Sequence, residues 1–345
     1  MKLQEATQIC QDGFELDSGR IAAVAEQLLD PSIPEDDKAG FLRALTDKGE
    51  TPSELAAFVQ ALLPKAVDPG FKGEWNGRPL FDCCGTGGGG LSLVNISTAM
   101  VFVLASAGVP VVKHGNHGVT KVSGSADVLD VLGIRRDLPP EKARAVFEKT
   151  GAVFFMAPAY HPAFAGLASV RKRLALEGRR TVFNLLGPLL NPACPDTQLI
   201  GVFKQEHVVL FSKAMRLLGR KRFLAVYGEG EDGAALGEYS IFGKNLSHGS
   251  FALDVPQPEP EDVPSGSFRD LVVSGKEESA ERILSVLRGR ERGLLKEMIV
   301  QNTAIGLLVH GSSPDFAAGC ALARERIESG AALAKLEEWK SACIS

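Results

Sequence analysis

Five short apolar runs, alternating with helical stretches, constrain this chain more than any other feature. They are residues 80–84, 109–112, 153–156, 199–203 and 223–226, and helical patterns cover 97–107, 123–132 and 206–218 between them. Runs this short and this apolar suit strands buried on both faces, and the alternation predicts a parallel sheet covered by helices. The first seventy residues contain no such run. There Ile21, Ala22, Val24, Ala25, Leu28 and Leu29 recur at helical spacing, as do Phe41, Leu42 and Leu45. Thr51-Pro52-Ser53-Glu54 reads as a helix start, with a Thr cap, Pro at the first helical position and Glu three residues after the cap. Residues 274–339 return to helix.

Composition bounds the function. Of 345 residues, 45% are hydrophobic and 23% charged, as in an ordinary globular protein. A net charge of −4 argues against a nucleic-acid surface spread over the whole chain. The cysteines Cys10, Cys83, Cys84, Cys194, Cys320 and Cys343 form no CxxC pair and no metal spacing, so free thiols in a reducing compartment are expected. The amino terminus has no apolar signal core. The most apolar stretch, 99–112, includes Ser106, Gly108 and Pro110 and falls short of a membrane span. A cytoplasmic protein is the expectation. Residues 256–267, with four prolines and several acids, read as a solvated excursion.

The chemistry gathers behind the first two runs. Gly85-Thr86-Gly87-Gly88-Gly89-Gly90 follows the first, and a helix opens near Asn95-Ile96-Ser97-Thr98. So many glycines cannot form a stable helix or strand interior, but their N–H groups can converge on a phosphate beside a helix N-terminus. The loop is neither a Walker loop nor a GxGxxG turn. From the residues alone it is a phosphate site of unspecified kind. The second run leads into Lys113-His114-Gly115-Asn116-His117-Gly118-Val119-Thr120-Lys121, a cluster suited to a further anionic group. One βα unit separates the two loops, so both should open on the same sheet edge. Ser123-Gly124-Ser125-Ala126-Asp127 then starts the next helix by capping.

Taken together, Asp82-Cys83-Cys84 with its glycine loop, Asn95-Ile96-Ser97-Thr98, Lys113-His114-Gly115-Asn116, Ser123 to Leu129 and Phe183-Asn184-Leu185-Leu186-Gly187-Pro188-Leu189-Leu190-Asn191-Pro192 resemble the motifs of the anthranilate phosphoribosyltransferase family in order and spacing. Lys48-Gly49-Glu50-Thr51-Pro52 and the closing Ile327 to Leu336 are similar to that family's second-helix signature and last helix. The resemblance implies an α/β fold of the nucleoside phosphorylase and phosphoribosyltransferase class. A small helical domain, 1–74, completed by a segment near 165–180, would join an α/β domain, 75–345, with a mainly parallel sheet. It further implies a homodimer, and attack of the anthranilate amine on C1 of phosphoribosyl pyrophosphate with magnesium present as one or two ions. Such chemistry needs positioning and electrostatics rather than a nucleophile–base pair.

By resemblance, Gly85, Gly88, Gly89, Leu93, Asn95, Ile96, Ser97, Thr98, the stretch Lys113 to Lys121 and Ser125 would hold phosphoribosyl pyrophosphate. Gly85, Asn116, His161 and Arg171 would hold anthranilate, Arg171 because its fork suits a planar carboxylate. Ser97 and Glu238 would meet magnesium. Departures from the family pattern fall inside this set: Gly89 for an aspartate, Leu93 for a hydroxyl residue, His117 for an arginine, Lys121 for a serine, and Gly237 for the first acid of an Asp-Glu metal pair. Glu231 or Asp232, in the turn 228–233, would be the candidates to replace that acid. Two alternatives stay open: a related transferase or phosphorylase with another acceptor, and a non-catalytic paralogue that binds a polyanion such as nucleic acid.

Overall fold

A computed structural model of the chain describes residues 1–87, 91–118, 123–253 and 263–344. The amino-terminal part is four helices, α1 (Leu3–Gln11), α2 (Ser18–Leu29), α3 (Glu35–Lys48) and α4 (Pro52–Leu62). The expected capping box opens α4: Thr51 Oγ accepts from Glu54 N at 3.2 Å and Glu54 Oε2 accepts from Thr51 N at 3.0 Å. Glu54 is fully buried and does more than cap. Its Oε1 accepts from Leu16 N at 3.0 Å, and Lys48 Nζ lies 2.8 Å from its Oε2, so one carboxylate ties three segments together.

The stripes Ile21, Val24, Leu28, Phe41, Leu45, Phe58 and Leu62 share a core with Leu167, Val170 and Leu174, which lie on or beside α9 (Ala168–Leu176). Ion pairs Arg43–Glu177 at 2.6 Å, Arg173–Asp36 at 2.8 Å and Arg179–Asp47 at 2.5 Å also link α3 to α9 and the turn after it.

Apart from a small hairpin, β1 (Glu74–Trp75) and β2 (Arg78–Pro79), the strands form one six-stranded sheet ordered β5-β4-β3-β6-β7-β8. These are β3 (Phe81–Gly85), β4 (Val111–Gly115), β5 (Ala152–Met156), β6 (Thr197–Gly201), β7 (Arg222–Gly228) and β8 (Asn245–Gly249). All pairings are parallel except β7 with β8. The chain builds outward from β3 to β5, then returns to the other side of β3 with β6. Strand order therefore reverses between β3 and β6, where Gly85 pairs with Gly201, and that reversal opens a crevice at the carboxyl ends of the two strands.

Helices α5 (Ile96–Ser106), α6 (Ser125–Val131), α7 (Pro140–Thr150), α12 (Lys276–Leu287), α13 (Leu294–His310), α14 (Phe316–Glu328) and α15 (Ala331–Ala342) supply the second core. On the other side α11 (Gln205–Leu217) and α10 (Val182–Leu186) join the helical unit against Ile200, Phe223 and Ala225.

Two expectations need correction. Lys113, His114 and Gly115, read above as loop, are the last three residues of β4, with Lys113 1% and His114 4% exposed. Their polarity hid a strand whose buried polar atoms bond inside the fold. Strand β8 is absent from the five apolar runs; it is polar and partly exposed because it is an antiparallel edge. Of the 256–267 excursion, residues up to 262 lie outside the described residues, and Ser267 caps a short turn by accepting from Arg269 N.

Candidate active site

A cavity of about 460 Å³ opens at the crevice between β3 and β6. Its floor depends on close backbone contact. A Cβ on Gly201 would lie 1.8 Å from the carbonyl oxygen of Gly237, and one on Gly228 would lie 2.4 Å from that of Glu238. Glycine at these positions lets the 236–240 turn press against the strand ends. Thr86 N donates to Gly201 O at 2.9 Å, which leads the glycine loop out of β3. Gly85 lines the cavity; Gly88 and Gly89 lie outside the described residues, as do Val119, Thr120 and Lys121.

The start of α5 is arranged differently from a simple cap. Asn95 and Ser97 line the cavity, but the Asn95 side chain caps nothing in its own helix. Ile96 and Thr98 are 1% and 0% exposed and do not line the cavity, so any contact they make there would come from the helix backbone. Leu93 does line it. Lys113 Nζ donates to Cys83 O at 2.6 Å and to Ser97 Oγ at 3.1 Å, so this lysine fixes the first loop from below. Beneath it Asp82 is buried, and desolvation pushes its carboxyl up to about 6. Asn191 Nδ2 bridges Asp82 Oδ2 at 3.0 Å and Val112 O at 2.7 Å. Burial pushes the Cys83 thiol up to about 12, which makes it an inert neighbour.

The second loop is drawn together by a residue not singled out above. Asp127 accepts from Gly118 N and Gly124 N, both at 2.8 Å, and from His117 Nδ1 at 2.6 Å. His117 Nε2 in turn accepts from Arg136 Nη1 at 2.5 Å. The cap of α6 thus comes from Asp127, not from the serines. A Cβ on Gly115 would lie 2.2 Å from Ser125 Oγ, so glycine lets Ser125 reach the cavity wall beside Asn116, His117 and Gly118.

Opposite, side chains stand in a row. His114 Nδ1 faces Gly187 O at 3.1 Å, so that nitrogen carries the hydrogen and Nε2 keeps a lone pair, buried and without a partner among the described residues. Burial pushes the pKa of His114 down to about 3. His161 Nε2 donates to Leu190 O at 2.8 Å, and burial also lowers its pKa. The two rings lie 5.3 Å apart; Phe164 stacks on His161 at 5.2 Å and meets Phe183 edge-on at 5.7 Å. The row ends at Arg171, whose guanidinium lies 5.5 Å from the Phe183 ring centroid. Arg171 makes no ion pair among the described residues, and burial lowers its pKa, although neighbouring Arg173 is spent on Asp36. Phe164 gave no signal in the sequence beyond an apolar residue.

Among the described residues the Asp-Glu metal pair of the family pattern is incomplete. Gly237 has φ +74°, and a Cβ there would lie 2.3 Å from Phe203 Cζ, so the phenyl ring fills the space of the acid that the family pattern puts there. Glu238 lines the cavity, but Ser97 Oγ already accepts from an ammonium. Glu231 accepts from Phe268 N and Asp232 pairs with Arg269, so neither replaces the missing acid. Among the described residues no group of three His, Cys, Asp or Glu side chains could hold a metal ion.

The model of the glycosyl transferase family a/b domain matches residues 77–333, and that of its helical bundle domain matches residues 4–66. Anthranilate phosphoribosyltransferase of Methanosarcina barkeri is 37% identical over 98% of this chain and 90% of its own. That of Thermus thermophilus is 39% identical over 87% and 88%. A crystal structure of anthranilate phosphoribosyltransferase from Thermus thermophilus aligns with TM-score 0.86 at 35% identity over 99% of both chains. The Saccharomyces cerevisiae enzyme in complex with PRPP and Mg shares the fold, with TM-score 0.83 at 23% identity over 99% of this chain and 98% of that one.

Proposed function

The chain belongs to the anthranilate phosphoribosyltransferase family, and on that premise we propose that it transfers the phosphoribosyl group of phosphoribosyl pyrophosphate to the amine of anthranilate in tryptophan biosynthesis. The observation that carries this reading is Arg171: a half-buried guanidinium without a carboxylate among the described residues, closing a row of aromatic rings beside a phosphate-type loop.

In the proposed reaction the amine nitrogen bonds to C1 as the C1–O bond to pyrophosphate breaks with its electron pair, and the amine's proton passes to the released pyrophosphate or to water. The Gly85 loop, the Asn95 amide, Ser97, the end of β4 at Lys113 to Gly115 and the loop from Asn116 to Gly118 with Ser125 would surround the departing pyrophosphate; N–H donors placed before the bond breaks stabilise the charge as it develops. Gly88, Gly89, Val119, Thr120 and Lys121 belong to the proposed donor site by resemblance alone. Arg171 grips the anthranilate carboxylate with both arms of its fork. His114, Asn116 and His161 line the cavity and would orient the amine, His114 through a buried Nε2 lone pair that has no partner among the described residues. With a pKa near 3 it accepts a hydrogen bond without becoming a strong base.

Magnesium would enter with the pyrophosphate, as part of the substrate. Glu238 and Ser97 are the protein groups nearest to such a role; by the resemblance, Lys121 in place of a serine adds a positive charge and Gly89 in place of an aspartate removes a negative one, and both favour pyrophosphate binding with weaker dependence on the metal than an Asp-Glu pair gives. The helical domain at 1–74 is completed by the segment near 165–180, a division supported by the ion pairs from α3 to α9, and the α/β domain is 75–345. A homodimer follows from the family resemblance. A cytoplasmic setting is supported by six free thiols; no helix of the described residues is long and apolar enough to cross a membrane.

The test is Arg171→Ala. The KM for anthranilate should rise roughly ten- to a hundredfold, the range for losing hydrogen bonds to a charged group, while phosphoribosyl pyrophosphate binds as before. Arg171→Lys should recover little, because an ammonium has no fork. An unchanged anthranilate KM in Arg171→Ala would sink the acceptor assignment.

A further inference from the structure

We propose that Ser279, on α12 and 184 residues away from Asn95, is a positioning residue that holds the Asn95 amide with its NH2 group turned into the cavity, ready to donate to pyrophosphate. The inference rests on the donor-site reading above.

The hydrogen-bond count decides the orientation. Asn95 Oδ1 accepts from Ser279 Oγ and from Ser123 Oγ, both at 2.9 Å. Ser279 is 0% exposed and Ser123 3% exposed, so neither hydroxyl can turn its hydrogen to bulk water. Ser279 Oγ also accepts from the Asn95 backbone N–H at 3.1 Å. One hydroxyl therefore takes a hydrogen from the Asn95 main chain and gives one to its side chain. With the amide reversed, both serine hydroxyl hydrogens would lose the acceptor they have here, at a cost typical of unmade buried bonds. Asn95 Oδ1 is saturated by the two hydroxyls. Its Nδ2 has no partner among the described residues, and the residue lines the cavity.

The arrangement joins three distant pieces at one atom. Asn95 opens α5, Ser123 belongs to the second loop, and Ser279 lies in the first turn of α12, which packs on α6. The carboxyl-terminal third of the chain thereby reaches the site without lining the cavity through Ser279 itself. Asn95 has ψ 75°, outside the helical range, and the bond from its N–H to Ser279 holds that bend in place.

A double-mutant cycle read by calorimetric titration with inorganic pyrophosphate tests the assignment. Ser279→Ala should weaken pyrophosphate binding about tenfold, the scale of one oriented hydrogen bond. In an Asn95→Ala background the same substitution should cost only a small part of that, because the side chain it positions is gone and only the bond to the main-chain N–H of residue 95 remains to be lost. A full additional loss in that background would mean that Ser279 acts on the fold at large, and would overturn the proposal, as would unchanged binding in the single variant. If Ser279→Ala does not fold, Ser279→Cys keeps the size with a weak donor and carries the same cycle. Wild-type protein that fails to bind pyrophosphate would overturn the donor-site reading and this inference with it. Wild-type binding with an unaffected Ser279 variant would overturn this inference alone.

Discussion

His114 shows how burial, not residue type, sets what a site residue can do. In the unfolded chain it takes up a proton below its ordinary value of 6.5; in the fold it does so only near 3. The stability it contributes is therefore complete above 6.5 and is lost as pH falls towards 3, because acid favours the state that binds the proton. His161, His207 and His310 are shifted in the same direction by burial, whereas Asp82, raised to about 6 from 3.8, pulls the opposite way below 6. His114→Asn, which keeps a donor for Gly187 O and cannot be protonated, should lose less melting temperature between pH 7 and pH 5 than the parent does. Parallel melting curves for the two proteins would refute this. Gly237 is the complementary case. Gly237→Asp should not rebuild a metal pair: the positive φ costs about 1–3 kcal/mol, and the new Cβ meets Phe203. Urea unfolding of Gly237→Asp should show that loss, and Phe203→Ala in the same chain should return part of it. The departure at Gly237 could be read from the sequence. The phenyl ring that occupies the space could not, since Phe203 lies 34 positions earlier and touches it only through the fold.

Elements were legible wherever one local rule governed them. The α4 cap was written in four consecutive residues, Thr51 to Glu54, and the fold uses it as expected. Thr51→Ala should cost about 1 kcal/mol, measured by urea unfolding, while Glu54→Gln should cost more, because Glu54 also serves Leu16 N and Lys48. A smaller loss in Glu54→Gln than in Thr51→Ala would contradict the three-way role. Strand ends were less legible. Apolarity marks where β4 enters the sheet, but Lys113 and His114 continue it with polar side chains that bond internally. Strand β8 carries no burial signal because it is an edge. The same limit hid Asp127, which looks like any first-turn acid yet gathers both sides of the second loop.

At the scale of the molecule, the alternation of apolar runs and helices sufficed to predict a parallel sheet, and the position of the glycine loop after the first run put a ligand site at its carboxyl edge. What composition and periodicity left open was the strand order. Only the reversal between β3 and β6 explains why residues as distant as Asn95, His161, Arg171 and Glu238 border one cavity. Helix α9, which carries Arg171, is held to α3 by ion pairs, whereas Gly85 and Asn116 belong to the sheet side, so the groups proposed to hold anthranilate come from different parts of the fold. The most direct measurement is the loss of anthranilate fluorescence when the purified protein meets phosphoribosyl pyrophosphate and magnesium. The expected result is a loss that needs both substrates and survives magnesium depletion better than it would in a relative with an intact Asp-Glu pair. Unchanged fluorescence, with pyrophosphate still binding at the site, would contradict anthranilate as the acceptor.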